Sequence, residues 1–191
     1  EGLDEKSFDV LDSGKSRSAA DVLFSAGVVN PSKVAAVSRF AILFERGKYS
    51  YIGKNGGSVK NMGAKVTNAN VREFVENNPE INDVVTSVMT LHSRFKNVSF
   101  QVLGGMYYVL YKRDAAKCEE FFNKLVTGSN LNDDDPVYVV REKFIRASAN
   151  TNSKIPVADA VFFIAKAWVS FINNRPLKLM IRRKTENFPT V

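Results

Sequence analysis

Apolar residues return at three- and four-residue steps along most of this chain, the spacing of helices that bury one stripe. From Arg17, the residues Ala19, Val22, Leu23 and Ala26 predict a short helix that Gly27 can stop. A second helix follows directly. Asn30 stands at its N-cap and Pro31 at its first position; Val34, Val37, Ala41 and Phe44 make one apolar line, while Arg39 and Arg46 share another face. Two helices joined by a short turn through Gly27 are compatible with a helix-turn-helix, whose second helix would present Asn30, Ser32, Lys33 and Ala36. Any antiparallel pair of helices gives the same pattern.

The periodicity breaks between Gly47 and Ala64, where five glycines stand among lysines, asparagines and the tyrosines Tyr49 and Tyr51. A loop of this length is functional or disordered more often than it is part of a compact domain. It is not a Walker-type phosphate loop, because no glycine-lysine-threonine or glycine-lysine-serine falls at the required spacing. Its lysines and tyrosines suit wrapping a phosphate chain and stacking on bases, and they suit equally a mobile hairpin or linker.

Helical spacing then resumes. Thr67 caps a segment carrying Val71, Phe74 and Val75, and Asn78 with Pro79 opens another that carries Ile81, Val84, Val85, Val88 and Phe95. Ser99 caps an almost unbroken apolar run to Tyr111, within which Gly104 and Gly105 allow a neighbouring helix to come close. Asp114 caps a helix with Cys118, Phe121, Phe122, Leu125 and Val126 on one face and Gly128 at its end. The acid run Asp133, Asp134, Asp135 before Pro136 reads as a cap rather than a metal site, since a helix N-terminus favours negative charge. The last and most apolar helix carries Val157, Val161, Ile164, Trp168, Phe171 and Ile172, with a narrow polar seam that includes Asp159 and Lys166; it is expected at the centre of the core. A tail from Leu177 to Ile181 alternates and reads as extended.

The fold class expected is therefore mainly α: a multi-helix bundle with a helix-turn-helix-like N-terminal part, a Gly/Lys-rich loop or hairpin, and a short extended C-terminal tail. Two regions are expected, a basic one over 1–65 and a helical bundle domain over 66–191. With 191 residues, 45% of them hydrophobic, the chain can bury a core without staples. One cysteine excludes an internal disulfide, and one histidine beside it leaves too few ligands for structural zinc. No metal or cofactor is implied. Cys118 on an apolar face reads as a small buried hydrophobe, and His92 as a packed core residue rather than a catalyst. With no grouping of nucleophile, base and orienter, the chain is not expected to be an enzyme, and no small-molecule substrate suggests itself.

The first twelve residues are acidic and unlike a signal peptide, and the apolar run from Val98 to Tyr111 is shorter than the roughly 20 residues a bilayer needs. A soluble cytoplasmic protein with no membrane partner is expected. Starting at Glu1 and not at Met, the chain reads as a fragment or a processed product.

Charge changes the picture most. Between Lys15 and Lys65 nine cations face only Asp21 and Glu45, a surplus of seven that equals the net charge of +7 for the whole chain. Such sorting suits one region that meets a polyanion, and it suits equally a solubilising surface. On the first reading the contacts to nucleic acid fall to Asn30, Ser32, Lys33, Arg39, Arg46, Lys48, Lys54 and Lys60, with Arg182 and Arg183 of the tail as a second patch.

Several phrases together, "LDSGKSRSAADVL", "NNPEI", "YYVLYKRD", "EEFFNKLVTGSNLNDDDPVYVVREKFI", "IAKAWVSFINNRP" and "ENFP", resemble the C-terminal region of phage- and prophage-encoded proteins that begin with a ParB-like, sulfiredoxin-type domain. The N-terminal half of those proteins carries an Asp-Gly-Gln-His-Arg motif that this chain lacks, so no activity of that half carries over to any residue here. The resemblance implies a phage-associated origin, the cytoplasm of a host cell, and a helical region that binds nucleic acid, DNA rather than RNA. The alternative is a protein-interaction module that forms a homodimer or inhibits a host factor.

Overall fold

The computed structural model describes residues 17–49, 65–150, 155–183 and 186–191. Among these the chain is mainly helical, with eight helices and no strand. The Gly/Lys-rich stretch from Ser50 to Ala64 lies outside the described residues.

Local chemistry starts and stops most of the helices where the polar residues lie. Helix α1 (Ala19–Ser25) opens on a capping box in which Ser18 and Asp21 satisfy each other's backbone N–H groups, and it ends before Gly27 at φ 79°. Helix α2 (Pro31–Glu45) has Pro31 in its first turn, but Asn30 caps it differently from expectation. Asn30 is left-handed, at φ 55°, and its side chain makes no capping bond; its carbonyl instead accepts from Lys33 and Val34 N–H. Helix α3 (Asn68–Asn77) opens on a second capping box, Thr67 with Asn70. Helix α4 (Ile81–Arg94) starts two residues later than Asn78 and Pro79 suggest. Asn78 is spent elsewhere: its side chain donates to the Phe74 carbonyl at 2.8 Å and accepts from the Tyr108 hydroxyl at 2.9 Å.

The later caps follow the sequence closely. Helices α5 (Phe100–Tyr111), α6 (Ala115–Thr127) and α7 (Pro136–Ala149) are capped by Ser99, Asp114 and Asp135, and Gly128 ends α6 at φ 70°. Asp135 accepts from Val137 N–H at 2.7 Å, so one acid of the run acts as the cap. Helix α8 (Val157–Ile172) completes the set.

Helix α5, not α8, is the hub. Its residues Val102 to Leu110 are buried without interruption, and it packs against α2, α4, α6 and α8. The two glycines make this possible. A Cβ on Gly104 would stand 2.8 Å from Val37 Cγ2, and one on Gly105 only 2.0 Å from Phe40 Cδ1, so α2 closes on bare backbone. Helix α8 is less enclosed, with Val157 and Ile172 at its ends 48% and 42% exposed. Its polar seam faces the C-terminal tail: Arg182 bonds Asp159 at 2.9 Å and Lys166 bonds Glu186 at 2.6 Å. Phe188 then packs against Phe44 and Phe162.

Neighbouring pairs set the helix directions. Lys33 meets Phe100 and Val37 meets Gly104, so α2 runs parallel to α5; His92 meets Phe100 and Val88 meets Gly104, so α4 runs antiparallel to both. The N-terminal ends of α2 and α5 therefore lie beside the C-terminal end of α4. Helices on both sides of residue 65 contribute to one hydrophobic core, from Leu23 and Phe40 to Leu110, Phe121 and Trp168. Cys118 is fully buried within it, its thiol donating to the Tyr107 carbonyl at 3.4 Å, and burial pushes its pKa up.

Gly105→Ala should test the α2–α5 contact. Overpacking of this kind costs about 1–3 kcal/mol, so the urea midpoint should fall while the slope of the unfolding curve stays the same. An unchanged midpoint would show that Phe40 can move aside freely.

Candidate nucleic-acid interface

Ten residues carry the sequence expectation of a polyanion surface, and the fold separates them. Asn30, Ser32 and Lys33 are exposed together on the first turn of α2. Behind them the helix sinks: Val34, Ala35, Val37, Ser38, Phe40, Ala41 and Ile42 are buried, and α1, α3, α4 and α5 enclose it. Within α2 only Ser32 and Lys33 of the first turn and the terminal Glu45 are exposed, and Ala36 is already half-buried.

Arg39 faces inward. Its Nη2 donates to Asn68 Oδ1 at 2.9 Å, while Asn68 Nδ2 donates to the Arg17 carbonyl, so the guanidinium ties α2 to the start of α3. Its Nε is buried without a hydrogen-bond partner. Arg46 and Lys48 are exposed at the other end of α2, about 20 Å from Lys33 at 1.5 Å per residue. Arg46 lines a shallow hollow of 170 Å³ with Asn70, Glu73 and Phe74. Lys54 and Lys60 lie outside the described residues.

The tail divides as well. Arg182 has a side chain only 13% exposed, bonded to Asp159 and to the Ala158 carbonyl and stacked over Phe162 at 4.8 Å, so it anchors the tail to α8. Arg183 is exposed, and its backbone N–H donates to the Glu186 carboxylate at 3.2 Å.

What the fold assembles instead is a cationic end. Lys33 of α2 places its Nζ 4.4 Å from the centre of the Phe100 ring, and the His92 ring meets the same phenyl edge-on at 5.6 Å. Arg94 closes α4 and Lys96 follows in the loop to α5, both exposed. Among the described residues, no carboxylate pairs with Lys33, Arg94 or Lys96. His92 is half-buried, with the Val98 backbone facing its ring. Its pKa lies below the ordinary histidine value, first because burial disfavours the charged ring, and then because Lys33 and Lys96 repel it; the Val98 backbone opposes both.

Arg94 and Lys96 were not among the sequence candidates. Read along the chain they resemble ordinary cations at a helix C-terminus, where the dipole favours them. Only the parallel packing of α2 on α5 brings Lys33 to them. On the far side of the loop formed by Lys96 to Ser99, an open apolar groove of 590 Å³ runs between Val98, Val102, Phe144, Ile155, Val157 and Ala160. Among the described residues no three histidine, cysteine, aspartate or glutamate side chains come close enough to hold a metal ion, and no helix is long and apolar enough to cross a membrane.

Compared with known protein families, with curated proteins and with solved structures, the chain finds no match.

Because His92 holds its proton less tightly in the fold than in the unfolded chain, the unfolded state takes up more protons as pH falls through the usual imidazole range near 6.5. Stability should therefore rise with pH across that window and level off above it. His92→Gln, which removes the titrating group, should flatten the dependence in urea unfolding curves recorded between pH 5.5 and 7.5. A slope that survives the substitution would assign it to another group.

Proposed function

We propose that this chain is a phage-associated, non-catalytic module that binds nucleic acid, DNA in the first instance, through the end of the bundle built from the first turn of α2, the end of α4 and the start of α5. The observation that carries this reading is the convergence of Lys33, Arg94 and Lys96, from separate parts of the chain, with no carboxylate among the described residues to neutralise them. Cations left unpaired beside one another repel, and a phosphate backbone removes that repulsion while releasing its own counterions. Asn30 and Ser32, exposed beside Lys33, supply neutral donors and acceptors for the same ligand. Phage association rests on the sequence resemblance described above.

The enclosure of α2 limits how sequence is read. Only its first turn reaches a ligand, so affinity depends on phosphate contacts, and base contacts are confined to Asn30, Ser32 and Lys33. Arg39 and Arg182 have structural partners and fall outside the contact set. Lys48 and Arg183 are exposed elsewhere on the surface and add to the long-range field rather than to this patch.

A second reading, a homodimer or a complex with a host protein, is favoured by Phe24 and Val29, which flank the α1–α2 turn at 73% and 72% exposure. Light scattering separates the two. A mass that doubles with concentration and reverts in Phe24→Ser would establish the dimer, whereas a constant monomer mass would remove it.

Lys33→Glu combined with Lys96→Glu should weaken binding of a duplex oligonucleotide at least tenfold and reduce the slope of log K against log salt by about 2, one for each lost phosphate contact. The check is fluorescence anisotropy at several salt concentrations. Equal affinity and slope in the double variant would place the binding surface elsewhere.

A further inference from the structure

The cationic end contains one group whose charge is not fixed. His92 is the single histidine of the chain, and it sits inside the cluster rather than beside it. From α2 it faces Lys33, from the loop Lys96 and the Val98 carbonyl, from α5 the Phe100 ring, and two residues along its own helix stands Arg94. Among the described residues no carboxylate from α6, or from any other element packed on α4, acts on it. Its ring is packed edge-on against Phe100 at 5.6 Å, on the same phenyl that Lys33 covers, and imidazole is the side chain there that can gain or lose a proton near neutral pH.

We propose that His92 is a proton-linked member of the nucleic-acid site: when backbone phosphate docks against Lys33 and Lys96, His92 takes a proton from solvent and adds a further positive charge to the contact. The inference rests on the nucleic-acid reading above and specifies its regulation. The physical cause is the part of the His92 shift that comes from neighbouring charge, which a bound phosphate reverses. In the free protein burial, and after it the charges of Lys33 and Lys96, disfavour a proton on His92 and hold its pKa below the ordinary histidine value. A bound phosphodiester, whose charge is constant across the range where histidine titrates, screens both lysines and lies near the imidazolium. The proton that is disfavoured on this ring in the free protein is then favoured in the complex. Binding and protonation are linked, so acidification strengthens binding and binding draws in one proton.

Linkage sets the size and sign of the effect. Affinity is lowest and constant above the midpoint of His92 in the complex, rises as pH falls between that midpoint and the lower one of the free protein, and is constant again below. Within the window it changes by up to about tenfold per pH unit for one linked proton. Carboxylates titrate below this range and lysines above it.

The experiment uses the full chain and a duplex DNA oligonucleotide, at fixed ionic strength, in two measurements. Proton NMR follows the imidazole Cε1–H through a pH titration with and without the DNA; one histidine in the sequence means one such signal. Fluorescence anisotropy gives affinity from pH 5.5 to 7.5 for the wild type and for His92→Gln, whose polar side chain carries no charge at any pH in this range. The expected result is a titration midpoint below the usual histidine value in the free chain that moves up on adding DNA. Wild-type affinity should rise on acidification, and the His92→Gln affinity should stay flat across the same range. A midpoint that does not move, or a pH dependence that persists in His92→Gln, would overturn this proposal while leaving the nucleic-acid reading intact. Failure of the wild type to bind DNA at every pH and at low salt would overturn both. Should the variant fold poorly, the wild-type NMR titration decides alone.

Discussion

The packing of α2 onto α5 over two adjacent glycines is the contact on which the rest of this structure depends. Without Cβ atoms at Gly104 and Gly105, Val37 and Phe40 press directly against the backbone of α5, and the two helices approach closer than any larger pair of residues would allow. Helix α5 then has its other faces free for α4, α6 and α8, and nine consecutive residues become inaccessible to water. An apolar run of that kind is stable only with neighbours on every side, so the glycines determine both the position of α2 and the burial of α5.

The same contact shapes the surface. Because α2 and α5 run parallel while α4 runs antiparallel to both, Lys33 and His92 meet at Phe100, at the end of the bundle where Arg94 closes α4 and Lys96 follows it. The charge surplus between Lys15 and Lys65 looks like one basic region along the chain. Folded, its described part separates, with Lys33 at one end of α2, Arg46 and Lys48 at the other, and Arg39 turned toward Asn68. Proximity in sequence is a poor guide to a shared electrostatic patch when a helix of 15 residues lies between its members.

The C-terminal tail shows the complementary case, in which charges that look free along the chain are committed. Asp159 and Lys166 read as a narrow polar seam on α8, and Arg182 as part of a basic patch. The tail crosses α8 so that Arg182 reaches Asp159 and Glu186 reaches Lys166, while Met180 and Phe188 cover apolar surface. Each of these ion pairs needs its partner from more than a dozen residues away, and helical periodicity carries no information about such a pairing.

Much of the local architecture is legible in the amino-acid order alone. Caps and breakers act over three or four residues, so Thr67, Ser99, Asp114, Asp135, Gly27 and Gly128 mark helix ends through bonds their own neighbourhoods supply. The exceptions are instructive: Asn78 does not cap α4 because Tyr108, thirty residues away, holds its side chain. Apolar spacing identifies which residues are buried, as for Cys118, Phe121 and Trp168. It does not say which helix lies at the centre, since α5 and α8 are similarly apolar and only the glycine contact with α2 distinguishes them. Nor does it group the cations. Helix formation and capping are near-neighbour interactions that the sequence determines by itself, whereas the hub helix, the committed tail and the cationic pole follow from which faces meet, which tertiary packing alone decides.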